Sequence, residues 1–178
     1  IIRAGIGLDN IDAVAAKEKG IPVSNTPAAT SISVAEHTFG LMLAAVRQHG
    51  KANLSMKEHK WEKKVLSGTE LYGKTLGIVG IGRIGREVAR RALAFGMNVI
   101  AYDVIKVETG LDVKQVSFDE LLARSDIITL HLPKQPKYII GDPEFEKMKI
   151  GVVIVNASRG GTIDENALLR ALDSGKVR

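Results

Sequence analysis

Gly80-Ile81-Gly82-Arg83-Ile84-Gly85 is the stretch on which the fold turns. It follows the apolar run Thr75 to Val79, which reads as a strand, and opens Ile84 to Phe95, which reads as a helix closing at Gly96. Between a strand and a helix, three glycines at this spacing have distinct uses. The first permits a tight turn, the second lets a pyrophosphate approach the backbone, and the third lets the helix pack on the strand. The free amides and positive dipole end of the new helix then hold the anion. Arg83, inside the loop, reads equally well as a pyrophosphate contact or as a solvated side chain.

The next strand, Asn98 to Tyr102, ends at Asp103, 18 positions after Gly85. A carboxylate there accepts hydrogen bonds from ribose hydroxyls. It repels a 2′-phosphate: like charges about 4 Å apart cost about 4 kcal/mol at an effective dielectric of about 20. That is nearly three decades of affinity at about 1.4 kcal/mol per decade. The expected cofactor is therefore NAD rather than NADP; the bland alternative for Asp103 is an acid in a turn.

Downstream, Ser117-Phe118-Asp119-Glu120 has the pattern of a capping box opening a helix to about Arg124. Ile127 to Leu132 reads as a strand, Pro143 to Met148 as a helical turn and Val152 to Val155 as a strand. Asp164 caps a helix to about Ser174 that stops at Gly175. Strands alternating with helices predict a Rossmann-type, doubly wound parallel α/β sheet.

Upstream, Asp12 to Lys19 reads as a short helix closed by Gly20, and Ile21-Pro22-Val23 as a brief strand. A second capping box, Ser33-Val34-Ala35-Glu36, is expected to open a helix to about Gln48. Lys51 to Ser67 is charged, carries the only Trp and lacks a strong period, so it reads as a connector or contact arm.

Composition agrees with this architecture. In 178 residues, 45% hydrophobic, 25% charged and 4% aromatic, the core must come from Val, Ile, Leu and Ala, which suits a helix-covered parallel sheet. The formal charge of +5 reads as a solvated basic surface or a field for small anions. The cations are spread out with few interleaved aromatics, which argues against nucleic acid. No cysteine is present, excluding disulfides and thiolate zinc sites. The apolar runs are too short for a membrane-spanning helix. Ile1-Ile2-Arg3 reads as the middle of a strand rather than a leader, so a cytoplasmic protein whose start looks cut is expected.

Four stretches together resemble the D-isomer-specific 2-hydroxyacid dehydrogenase family. They are Arg3-Ala4-Gly5-Ile6-Gly7-Leu8-Asp9-Asn10, Ser33-Val34-Ala35-Glu36-His37-Thr38, Gly73 through Gly85, and Asn156-Ala157-Ser158-Arg159-Gly160-Gly161. The first and third look most like the phosphoglycerate dehydrogenase branch. The resemblance implies a substrate-domain remnant over 1–27 and an NAD-binding domain, incomplete at its C-terminal end, over 28–178. It implies NAD-dependent oxidation of D-3-phosphoglycerate to 3-phosphohydroxypyruvate. The alternatives are a glyoxylate, hydroxypyruvate or D-lactate enzyme, or a non-catalytic NAD-sensing corepressor.

Residue by residue, the resemblance implies that Arg159 grips the substrate's carboxylate and carbonyl, a task suited to the planar guanidinium fork. Ala157 and Ser158 would lie along the nicotinamide end of NAD, with Leu132 and Pro133 on the adenosine side. Ile6 and Gly7 would offer backbone amides to the substrate carboxylate. Arg3 is either a charge for a substrate phosphate or a structural residue beside a strand. The family's His–Glu acid/base pair falls after the position of Arg178, so this stretch is expected to bind nucleotide in part and to catalyse hardly at all. His131, at a strand end, reads as a satisfied structural histidine; His37, His49 and His59 have no metal-ligand spacing. Family members look dimeric through the helix from Ser33 and the Trp61 arm, so a homodimer or higher homo-oligomer is expected, with the contact region within 33–72.

Overall fold

The computed structural model describes all residues, 1–178. The chain opens with β1 (Ile2–Arg3), α1 (Ala13–Glu18) and β2 (Ser24–Asn25). Asp12 caps α1, its Oδ1 accepting from the amides of Val14 and Ala15 at 3.1 and 2.9 Å. β1 and β2 pair in parallel as a two-stranded sheet apart from the main one. The strand expected at Ile21–Val23 thus forms later. Pro22 has no amide to donate, and the ladder begins with Ser24 N–H to Ile1 O at 3.0 Å.

α2 (Ser31–Val46) starts before the expected capping box. Its N-cap is Thr30, without a side-chain hydrogen bond, and Glu36 reaches Arg91 at 3.3 Å instead of turning back to its own helix. The apolar stripe Ala35, Phe39, Met42 and Val46 is buried in the core, so most of this helix needs no partner to cover it. α3 (His49–Lys57) occupies much of the segment expected to be a connector. Gln48, at φ 53°, breaks the path between the two helices. Only Ser55 of α3 is buried, so no apolar period announces this helix.

The main sheet contains β3 (Thr75–Val79), β4 (Asn98–Tyr102), β5 (Lys114–Gln115), β6 (Ile127–Leu130) and β7 (Val153–Asn156). All pairings are parallel and the order is β5-β4-β3-β6-β7. α4 (Arg83–Ala94) connects β3 to β4, and α5 (Phe118–Arg124) connects β5 to β6. α6 (Asp142–Lys147) precedes β7, and α7 (Glu165–Asp173) follows it. β5 escaped the sequence reading because it is a two-residue polar edge strand, paired through Lys114 to Ile100. β6 ends at Leu130, short of the expected Leu132, although His131 N–H still reaches Val79 O at 2.8 Å.

Apolar residues divide between the two faces of the sheet. Leu76, Ile78, Val99, Ala101, Val153 and Val155 meet α2 and α4 on one side. Val79, Ile100, Ile128 and Leu130 meet α5, α6 and α7 on the other. Gly77 lets α5 come close, since a Cβ there would lie 2.8 Å from Leu121 Cδ2. Of the box expected at Ser117, only half forms: Ser117 Oγ accepts from Glu120 N–H at 3.2 Å, while the Glu120 carboxylate pairs with Arg124. No helix is long and apolar enough to cross a membrane.

Candidate functional site

Strand order reverses at β3, whose neighbours β4 and β6 continue in opposite directions, so the carboxyl ends of these strands border the crevice where this fold binds ligands. Gly80-Ile81-Gly82 leaves β3 at that point. Gly80 has φ +93°, and a Cβ on it would lie 2.6 Å from His131 O. A Cβ on Gly85 would collide with Gly80 O, so α4 can start against the turn only if Gly85 is bare. At Gly82 nothing lies within 4 Å of the same position, which leaves that backbone open to a ligand.

The first hydrogen bond of α4 is Arg86 N–H to Gly82 O at 3.0 Å. The amides of Gly82, Arg83, Ile84 and Gly85 make no bond within the chain, and Gly82 supplies no side-chain cap. They form an unsatisfied positive end of the kind that holds a pyrophosphate. The Arg83 side chain is exposed and makes no hydrogen bond, while Ile84 is half-buried. Asp103 stands beside this turn and accepts from Ile81 N–H through Oδ2 at 3.0 Å. Leu132 Cδ2 would be 3.1 Å from a Cβ on Gly80, which puts Leu132 against the same loop, and Pro133 follows it exposed. These residues suit an extended dinucleotide: open amides for its phosphates, an acid for a ribose and an apolar wall beside them.

A second group assembles around Arg159. Its Nε donates to Asp9 Oδ2 at 2.9 Å and its Nη1 to Ser158 O at 2.9 Å. Nη2 lies over Gly7, so close that a Cβ there would overlap it. Arg3 Nε donates to Gly7 O at 3.2 Å, and Asn25 Nδ2 to Ile6 O at 2.7 Å, holding this segment by its carbonyls. The amides of Ile6 and Gly7 make no hydrogen bond within the chain. The segment carrying Arg3, Ile6 and Gly7 is thus brought to Arg159, which is distant in sequence, with Gly7 as the point of contact.

The loop carrying Ala157, Ser158 and Arg159 is organised by Asn156, for which the sequence reading had no role. Its Nδ2 donates to Thr162 Oγ1 at 2.9 Å and to Arg159 O at 3.1 Å. Its Oδ1 accepts from Ser158 N–H at 3.0 Å and from Ser158 Oγ at 2.7 Å. The Ser158 hydroxyl is therefore turned onto Asn156. An Asn at a strand end before a glycine-rich turn is the signal that marks this role. Asp9 was missed for another reason: no local pattern connects an acid near one end of the chain to an arginine near the other.

His131 is only half satisfied, which corrects the expectation of a satisfied structural residue. Its Nε2 lies 3.0 Å from Thr129 Oγ1, while Nδ1 is buried without a partner. Burial pushes its pKa down to about 4, so the ring is neutral at neutral pH. His37 and His49 are exposed on α2 and α3, and His59 sits in a left-handed turn at φ 57°. A concavity of about 440 Å³ lies away from the loop, lined by Ala52, Met56, Trp61 and Leu66 among others.

Comparison with known proteins adds three relationships. Residues 39–178 match the family described as D-isomer specific 2-hydroxyacid dehydrogenase, NAD binding domain. The hydroxypyruvate reductase of Thermotoga maritima is 59% identical over 179 residues, covering 99% of this chain and 58% of that protein. The D-3-phosphoglycerate dehydrogenase of Archaeoglobus fulgidus is 53% identical over 180 residues, covering 98% of this chain and 34% of that one. Among solved structures, a glyoxylate reductase from Paecilomyes thermophila superposes with a TM-score of 0.90 at 50% identity, covering 97% of this chain and 54% of that one. The chain spans between a third and three-fifths of the length of these relatives.

Proposed function

This chain belongs to the D-isomer-specific 2-hydroxyacid dehydrogenases, as their NAD-binding domain, and from that premise we propose that the whole protein is an NAD-dependent oxidoreductase acting on a D-2-hydroxy acid. The preferred substrate is D-3-phosphoglycerate, oxidised to 3-phosphohydroxypyruvate on the way to serine in the cytoplasm. The observation that carries the reading is the approach of Arg159 to Gly7, in a segment whose Ile6 and Gly7 amides are unpaired. Together they offer a carboxylate a guanidinium edge and two backbone donors.

NAD, when bound, accepts the hydride. The protein's own part is to bind and to orient. The amides of Gly82 to Gly85 would hold the pyrophosphate, Asp103 would take the ribose, and Leu132 and Pro133 would line the adenosine side. Ala157 and Ser158 would lie towards the nicotinamide end. Arg159 fixes the hydroxy acid by its carboxylate, and Arg3, exposed beside Gly7, supplies a second cation to a substrate phosphate. His131 is unsuited to take the hydroxyl proton, because desolvation lowers its pKa to about 4 and so makes it a weak base, and its Nε2 is engaged with Thr129. The family resemblance assigns that proton to a His–Glu pair beyond Arg178.

A second reading, reduction of hydroxypyruvate or glyoxylate, is favoured by the 59% identity to the Thermotoga maritima hydroxypyruvate reductase. The two separate on kcat/KM of the complete chain for phosphorylated and unphosphorylated acids. Preference for the phosphorylated acid supports the first reading, and its loss supports the second.

Residues 1–27 are assigned to the end of a substrate domain and 28–178 to the nucleotide domain. The separate β1–β2 sheet supports that division. We also propose that the protein is a homodimer. Leu54, Met56, Trp61 and Val65 are exposed on α3 and the arm after it, Trp61 at 79%, and Met56 and Trp61 line the 440 Å³ concavity. Such clustered apolar surface fits a protein contact.

A further inference from the structure

Arg159 has five N–H donors, and the protein takes two of them: Nε by Asp9 and one Nη1 hydrogen by Ser158 O. The outer Nη edge lies over Gly7. An arginine side chain with its rotamers free presents its fork in many directions, and only a fixed one offers two parallel bonds to a carboxylate. We infer that Asp9 is a positioning residue, holding Nε of Arg159 so that the Nη edge faces the substrate carboxylate beside the Ile6 and Gly7 amides. The inference rests on the dehydrogenase reading proposed above and extends it to a residue that touches no reacting atom.

Two observations separate positioning from a stabilising ion pair. The side chains of Arg159 and Asp9 remain 36% and 45% exposed, and pairs so solvated contribute little to folding. A bare Gly7 also matters for the guanidinium rather than for its own backbone: its φ is outside the left-handed range, yet a Cβ there would strike both Nη2 and, at 2.7 Å, Asp9 Oδ2. Gly7, Asp9 and Arg159 are fitted to one another. The negative charge of Asp9 opposes an incoming carboxylate, so its presence is explained by orientation and not by attraction.

The test uses the complete chain with Asp9→Ala and Asp9→Asn, each assayed for kcat, KM for the hydroxy acid, NAD Kd and Tm. An asparagine Oδ1 still accepts from Nε. Asp9→Ala is expected to raise KM by about 10- to 100-fold, the range for loss of a charge-assisted bond, with NAD Kd and Tm unchanged. Asp9→Asn should stay within about 3-fold of wild type by the same reasoning, because its bond survives. An unchanged KM in Asp9→Ala, or equal effects of both variants accompanied by a fall in Tm, overturns the assignment. The Nε–H NMR signal of Arg159, identified by its loss in Arg159→Lys, is read in parallel. It should persist in Asp9→Asn and exchange with water in Asp9→Ala. If the wild-type chain turns over no hydroxy acid, the dehydrogenase reading fails, and an Nε–H signal unchanged in Asp9→Ala separately defeats the hold by Asp9. Should Asp9→Ala fail to fold, loss of that signal in Asp9→Asn overturns the inference and its retention supports it.

Discussion

Ile81 donates its backbone amide to Oδ2 of Asp103 across 3.0 Å, tying the turn after β3 to an acid 22 residues later, at the end of β4. Oδ1 has only a long contact, 3.4 Å, with Ile105 N–H. One oxygen of the carboxylate is thus committed to the phosphate loop while the other is largely available to a ribose. The acid proposed to discriminate between nucleotides thus also braces the glycine turn proposed to hold their phosphates.

Asp103→Ala should therefore act twice. NAD binds more weakly because the ribose partner and the brace on Ile81 are both lost. NADP gains relative to NAD because about 4 kcal/mol of repulsion at an effective dielectric of about 20 disappears. Calorimetric titration of the intact protein with both nucleotides checks this; an unchanged NAD/NADP ratio removes Asp103 from the site.

Arg159→Lys keeps the positive charge and abandons the fork. Lysine cannot bond Asp9, Ser158 O and a carboxylate in one plane. We expect kcat/KM of the complete enzyme to fall by at least about 100-fold, with NAD affinity retained, the loss being one of transition-state contacts. Near-normal turnover would remove Arg159 from the substrate site.

His131 makes stability depend on pH in a defined window. Its folded pKa, about 4, lies below the ordinary 6.5, so the unfolded chain binds the proton more readily. The contribution is present above about pH 6.5 and is lost as pH falls toward about 4, roughly 2 kcal/mol of it by pH 5. For a domain of this size that corresponds to a Tm drop of about 4–8 °C. His131→Asn should flatten the Tm profile between pH 7 and pH 5, and melts at both values check it. A slope equal to wild type would assign the pH dependence to other groups.

Trp61→Arg places a charge in the exposed apolar surface of the arm. Sedimentation of the complete protein at micromolar concentration should show a wild-type dimer and a monomeric variant. A wild-type monomer, or a variant that still dimerises, would move the interface elsewhere.

The phosphate loop was legible because every contributor is local. Strand, turn and helix are adjacent in the chain; Gly85 answers a steric demand of its own turn, Gly80 one of the neighbouring strand, and Gly82 leaves its backbone open. The sheet was legible for the same reason, since Leu76 to Val79 and Ile127 to Leu130 are apolar enough to be buried on both faces. α3 was not, because burial of little more than Ser55 leaves no period to read. The start of α2 was misplaced because Ser33 and Glu36 have the composition of a box, while Arg91 on α4 offers Glu36 a partner that no local rule contains.

The amino-acid sequence alone determined the parallel α/β architecture, the glycine cradle and the acid that follows it, since short-range sterics and hydrophobic periodicity act between near neighbours. Only the tertiary structure decided that Asp9 holds Arg159, that Asn156 shapes the loop before it, and that one nitrogen of His131 is buried unpaired. Those outcomes depend on which distant side chains share a few ångströms of space, and that follows from how the strands are ordered and the helices laid across them.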